Sequence, residues 1–99
     1  MTLLNNEMVN EKLDPLRFED FKRSELAIDI IARMIGYNIN DRLREKSKIN
    51  PDPLILNKLE EQRDILLSEQ KLIYRGNKDV MIACIEKYVP VIRTIFNTV

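Results

Sequence analysis

The stretch that opens Asp52-Pro53-Leu54-Ile55-Leu56-Asn57-Lys58-Leu59 and closes Leu72-Ile73-Tyr74-Arg75-Gly76-Asn77 decides the fold. The Asp52 carboxylate can accept a hydrogen bond from the free amides of a first helical turn. Pro53 suits the first helical position, where its missing N–H would have had no partner. Arg75-Gly76-Asn77 is a stop: a cation for the negative end of the helix, then a residue that takes φ > 0 without a Cβ clash. Neither glycine nor proline interrupts residues 54–75, so the stretch predicts about six turns of helix.

At roughly 100° per residue, Ile55, Leu59, Leu66 and Ile73 fall on one line of that helix. Leu56, Leu67 and Tyr74 flank it on one side, and Leu54, Ile65 and Leu72 on the other. The apolar arc is roughly 200° wide, about twice what one buried face needs. Asn57, Glu60, Asp64, Ser68, Lys71 and Arg75 share the wet side. An arc this broad predicts the middle member of a small bundle, touched on two sides, or a helix that also meets a second chain. Lys58, Gln62 and Glu69 intrude on the arc. The ordinary reading sets them at a seam between helices, stems packed and polar heads in water. The sharper reading makes them the rim of a partner-binding patch formed by Leu54, Ile65 and Leu72.

Upstream, Asp14-Pro15 repeats the cap-then-proline signal, so a helical turn or two begins there, with Phe18 and Phe21 on one side. Ile28, Ile31, Ile35, Ile39 and Leu43 then step by three or four, with Ala27 and Met34 alongside. Arg17, Asp20 and Ser24 project onto the line of Ile31, which predicts a kink or break near Arg23-Ser24. Gly36 costs about 1 kcal/mol relative to alanine inside a helix. One bent helix from about Ser24 to Lys46 is expected, with a break after Gly36 as the alternative. The connection Ser47-Lys48-Ile49-Asn50-Pro51 is of a length that suits antiparallel neighbours. Residues 1–13 are polar and weakly patterned and read as a loosely ordered arm ahead of a single domain over 14–99.

Downstream, Asn77 is a good N-cap and Asp79 places a negative charge in the first turn. Met81, Cys84, Ile85, Tyr88, Ile92, Ile95, Phe96 and Val99 occupy one arc, opposite Glu86, Arg93, Thr94 and Asn97. Pro90 lies within the polar face, where the carbonyl it frees can reach water, so one kinked helix is expected. The predicted fold class is all-α. It is a small antiparallel helical bundle of three to four helices, with a bent first helix, a long central helix and a Pro-kinked last helix.

Composition narrows function mainly by exclusion. Sixteen basic and sixteen acidic side chains cancel, leaving no global field to draw the chain to nucleic acid or an anionic membrane. One cysteine excludes an intramolecular disulfide and points to a reducing compartment. No apolar run approaches ~18 residues and the first residues lack a secretory pattern, so a cytoplasmic location without membrane contact is expected. The chain has no histidine, which removes the commonest general base and metal ligand together. Bundle carboxylate metal sites want Glu-x-x-His pairs, and two glycines cannot build a phosphate loop. Cys84, on an apolar face, reads as a buried structural thiol. No catalytic residue, metal or cofactor is expected, and the chain does not read as an enzyme.

What remains is a surface. The expectation is a small protein–protein interaction module of adaptor, inhibitor, immunity or antitoxin type, acting on a larger protein or pairing with itself as a homodimer. Its candidate contact residues are Leu54, Lys58, Gln62, Ile65, Glu69 and Leu72. The alternative is weak nucleic-acid binding or regulation through Arg42, Arg44, Lys46 and Lys48. Cations at a helix C-terminus are favoured by the dipole alone, and Asp41 and Glu45 interleave them.

Overall fold

The computed structural model describes residues 15–97, with side chains from residue 19 onward. The arm expected over 1–13 and the terminal Val99 lie outside the described residues. The described residues form three helices: α1, Pro15–Lys46; α2, Pro53–Tyr74; and α3, Lys78–Asn97. Among the described residues there is no strand.

The ends of α2 follow from the residues that flank it. Asp52 Oδ1 accepts from the Leu54 amide at 2.9 Å, and Pro53 takes the first helical position. At the far end Gly76 sits at φ 86°. The Gly76 amide donates to the Ile73 carbonyl at 2.9 Å and the Asn77 amide to the Leu72 carbonyl at 3.0 Å. This is the paired bonding of a Schellman stop, which satisfies carbonyls that the helix leaves free. Asn77 immediately starts the next helix, its Oδ1 accepting from the Val80 amide at 3.1 Å. Through Pro90, α3 runs without a break; the proline is exposed, so the backbone bond it removes lies at the wet surface.

The first helix is longer and simpler than its sequence suggested. It runs unbroken from Pro15 to Lys46, with no interruption at Arg23-Ser24 or at Gly36. Ser24, whose position on the apolar line prompted the expected break, is absorbed locally. Its hydroxyl donates to the Asp20 carbonyl one turn back at 3.0 Å and approaches Met81 Sδ at 3.6 Å.

The core consists of Ala27, Ile30, Ile31 and Met34 from α1, Leu66 and Ile73 from α2, and Met81, Cys84 and Tyr88 from α3. The buried line of α1 is therefore not the isoleucine stripe. Of that stripe only Ile31 is buried; Ile28, Ile39 and Leu43 are exposed by 37%, 42% and 59%. The line through Ala27, Ile31 and Met34 continues instead into Asn38 and Glu45, both buried. These polar residues can occupy it because α2 and the inter-helix loop supply their partners. Asn38 Nδ2 donates to the Leu59 carbonyl and to Gln62 Oε1, both at 2.9 Å, while its Oδ1 accepts from Arg42 Nε at 2.9 Å. Glu45 accepts from Lys48 Nζ and from the Asp52 amide, each at 2.9 Å.

The element that everything else rests on is α1, not α2. Both α2 and α3 pack mainly on α1 and touch each other less, so α2 is not the middle of the bundle. At 32 residues, about 48 Å, α1 is the longest of the described helices and has room for both. Contacts between α1 and α2 run in opposite senses, 45 with 52 and 38 with 59 and 62. Those between α1 and α3 climb together: Asp20 pairs with Lys78 at 2.9 Å, Ser24 reaches Met81, and Arg33 lies over the Phe96 ring at 5.7 Å. In projection Asp20 and Ser24 lie on one side of Ala27, and Arg33 on the other. The third helix thus crosses α1 obliquely, passing from one side of the fully buried Ala27 to the other.

Candidate protein-interaction surface

All six candidate contact residues lie within one arc of α2, but the structure divides them. Leu54 and Ile65 are exposed by 71% and 55%, and Leu72, one line with Leu54, is half-buried. Lys58 is exposed between them. These four form an apolar edge carrying one cation. Gln62 and Glu69 instead perform the seam role. Gln62 takes the Asn38 amide from α1, and Glu69, whose side chain is 16% exposed, joins α2 to α3.

The Glu69 carboxylate accepts from the Tyr88 hydroxyl and, at 2.9 Å, from Lys87 Nζ. Lys87 Nζ also stands 4.6 Å over the Tyr88 ring. The electrostatics are those of a structural clasp. The Lys87 ammonium is held well above its usual range, chiefly by its bond to Glu69. Burial, reinforced by Glu69, pushes the Tyr88 phenol up to about 12. Burial does the same to the Cys84 thiol, which is raised to about 11 with the Glu69 charge adding to the effect. A fully buried thiol so far above neutral pH stays protonated, which is the opposite of what a nucleophile requires.

The clasp marks where the α2–α3 seam closes. Toward the Gly76 turn, Ile73, Met81, Cys84 and Tyr88 are buried. Beyond it the same faces open: Val91, on the line of Cys84, is 41% exposed, and Ile65, one turn before Glu69, is 55% exposed. The end of α3 lies on the other flank of α1, where Val89 and Ile92 line one shallow hollow with Leu26 and Ile30. This splay is why the α2 edge is bare over Leu54–Ile65.

The basic run near the end of α1 is largely engaged within its own chain. Arg42 donates to Asn38, Arg44 lies 3.7 Å from Asp41, and Lys48 pairs with Glu45; Lys46 is exposed. Sequence reasoning missed Asn38 and Glu45, the two buried polar residues. Asn38 lies four, seven and eleven residues from Met34, Ile31 and Ala27, and Glu45 a further seven along; both are helical spacings that keep them on the core line, and that was the available signal. No helix among the described residues is long and apolar enough to cross a membrane. No protein-family model, curated protein or solved structure matches the chain.

Proposed function

We propose that the protein is a non-catalytic protein–protein interaction module, built as an antiparallel bundle and working in the cytoplasm. It binds a larger protein through the α2 edge formed by Leu54, Lys58, Ile65 and Leu72. One observation carries this reading: Leu54 and Ile65, 71% and 55% exposed, lie beside half-buried Leu72 on a face that α3 leaves uncovered. Large aliphatic side chains aligned on one helical face are the usual anchors of helix-mediated recognition. Lys58 at the centre of the edge favours a partner whose apolar contact is bordered by a carboxylate. Gln62 and Glu69, bonded inward, hold the edge rather than touch the partner. The nucleic-acid alternative draws less support, because Asp41 and Glu45 stand among these cations and pair with Arg44 and Lys48, and Arg42 gives its Nε to Asn38.

The test compares capture by the tagged wild type and by Ile65→Glu from the native cell. Ile65 is more than half exposed, so the variant should retain the wild-type helical circular dichroism. The expected result is one stoichiometric protein held by the wild type and lost by the variant. A partner retained by Ile65→Glu would place the contact elsewhere. Nucleic acid released by moderate salt, with no bound protein, would favour the basic segment instead.

A further inference from the structure

A second apolar face runs the length of α1 on its outer side, away from the core line. Phe21, Ile28, Ile39 and Leu43 are exposed on it by 60%, 37%, 42% and 59%. Ala32 between them is exposed and Ile35 half-buried. Residues 21, 25, 28, 32, 35, 39, 42 and 46 advance by alternating steps of four and three, the spacing of the a and d positions of a coiled coil. Their types in order are Phe, Glu, Ile, Ala, Ile, Ile, Arg and Lys: an apolar middle, one acid near the start, two bases near the end.

That order selects both the occupant and its direction. A parallel copy would set Glu25 on Glu25, Arg42 on Arg42 and Lys46 on Lys46, three like-charge layers. An antiparallel copy related by a two-fold axis at the level of residues 33 and 34 gives different layers. Glu25 faces Arg42, Ile28 faces Ile39, Ala32 faces Ile35, and Phe21 faces Lys46, each twice by symmetry. Every apolar residue in the middle four positions then meets an apolar one, and the small Ala32 lies opposite the branched Ile35. The charges are available: Glu25 is exposed, and Arg42 commits Nε to Asn38, leaving the rest of its guanidinium fork for a carboxylate. We infer that the occupant of this face is a second copy of the chain, its α1 packed antiparallel against the first. The pairing uses α1 and not the α2 edge, so it stands or falls apart from the partner-binding reading.

Sedimentation of the purified full chain tests the pairing. At micromolar concentration the expected mass is twice 11.7 kDa, and the double variant Ile28→Asp/Ile39→Asp should sediment at 11.7 kDa with its helical circular dichroism intact. Glu25→Arg should weaken the dimer by roughly tenfold or more, by setting it against Arg42, and Arg42→Glu in the same chain should restore it. Orientation is read by mixing an Ile28→Cys protein with an Ile39→Cys protein under oxidation; the mixed 28–39 cross-link should exceed either self cross-link. A monomer at 100 micromolar would overturn the inference. So would a dimer indifferent to Ile28 and Ile39, or cross-linking dominated by the 28–28 product.

Discussion

A methyl group added at Gly36 meets nothing within 4 Å and enters an ordinary helical backbone. Glycine there only enlarges the freedom that the unfolded chain must lose. Gly36→Ala is therefore expected to raise stability by about 0.5–1 kcal/mol. A methyl group at Gly76 would also enter open space, but the φ of 86° there lies in the left-handed region. Gly76→Ala should accordingly lower stability by about 1–2 kcal/mol. Urea midpoints for the two variants, moving in opposite directions from the wild type, would check both. The positive φ of Gly76 was legible in the sequence because Arg75-Gly76-Asn77 ends one amphipathic pattern just before another begins. The harmlessness of Gly36 was not, since open space beside a backbone depends on how α2 and α3 are laid against α1.

The joint between α1 and α2 depends on Glu45, which binds the loop lysine and the amide of the residue that caps α2. The bond from Lys48, with the Asp52 amide adding to it, holds the carboxyl below its ordinary value of 4.5. Unfolding releases the carboxyl to that ordinary value, so the unfolded chain takes up a proton more readily than the folded one. The joint therefore contributes its full stability above the ordinary value and loses it as pH falls through the depressed one. Asp20, held below 3.8 chiefly by its bond from Lys78, adds a second loss of the same sign at the start of α3. Glu45→Gln should lower the melting temperature at neutral pH and flatten its fall between about pH 5 and pH 3; melting curves across that range measure both. Element boundaries at 52–53 and 76–78 could be read from caps and stops, which are local chemistry. The register of α1 could not. Isoleucines at 28, 35 and 39 outweighed Asn38 and Glu45 in any reading by hydrophobicity, and only the donors and acceptors brought by α2 and its loop make those polar residues buriable.

At the scale of the molecule, both shorter helices pack mainly on α1 and touch each other less. Loss of α1 packing should thus release everything. Thermal unfolding followed by far-ultraviolet dichroism and by tyrosine fluorescence is expected to give coincident midpoints, with Ile31→Ala lowering both by the same amount. Two separated transitions would mean that the α2–α3 hairpin persists alone. The breadth of the α2 arc was legible in the sequence, and so was the bareness of its edge in outline. Which helix was central was not, because an apolar arc reports how much surface seeks cover and not which neighbour provides it. The oblique crossing of α3 over Ala27 also has a consequence in time. Bonds from α2 to α1 and from α3 to α2 close 21 and 19 residues of chain, whereas those from α3 to α1 close 57 and 58. On a ribosome adding 5–20 residues per second, α1 is complete roughly 3–10 s before the last turn of α3 is made. Once made, α2 can fold back over the Asn38–Glu45 end of the core line, but the part that α3 covers, from Asp20 to Arg33, stays bare throughout that interval, and it is there that a chaperone has the most to hold.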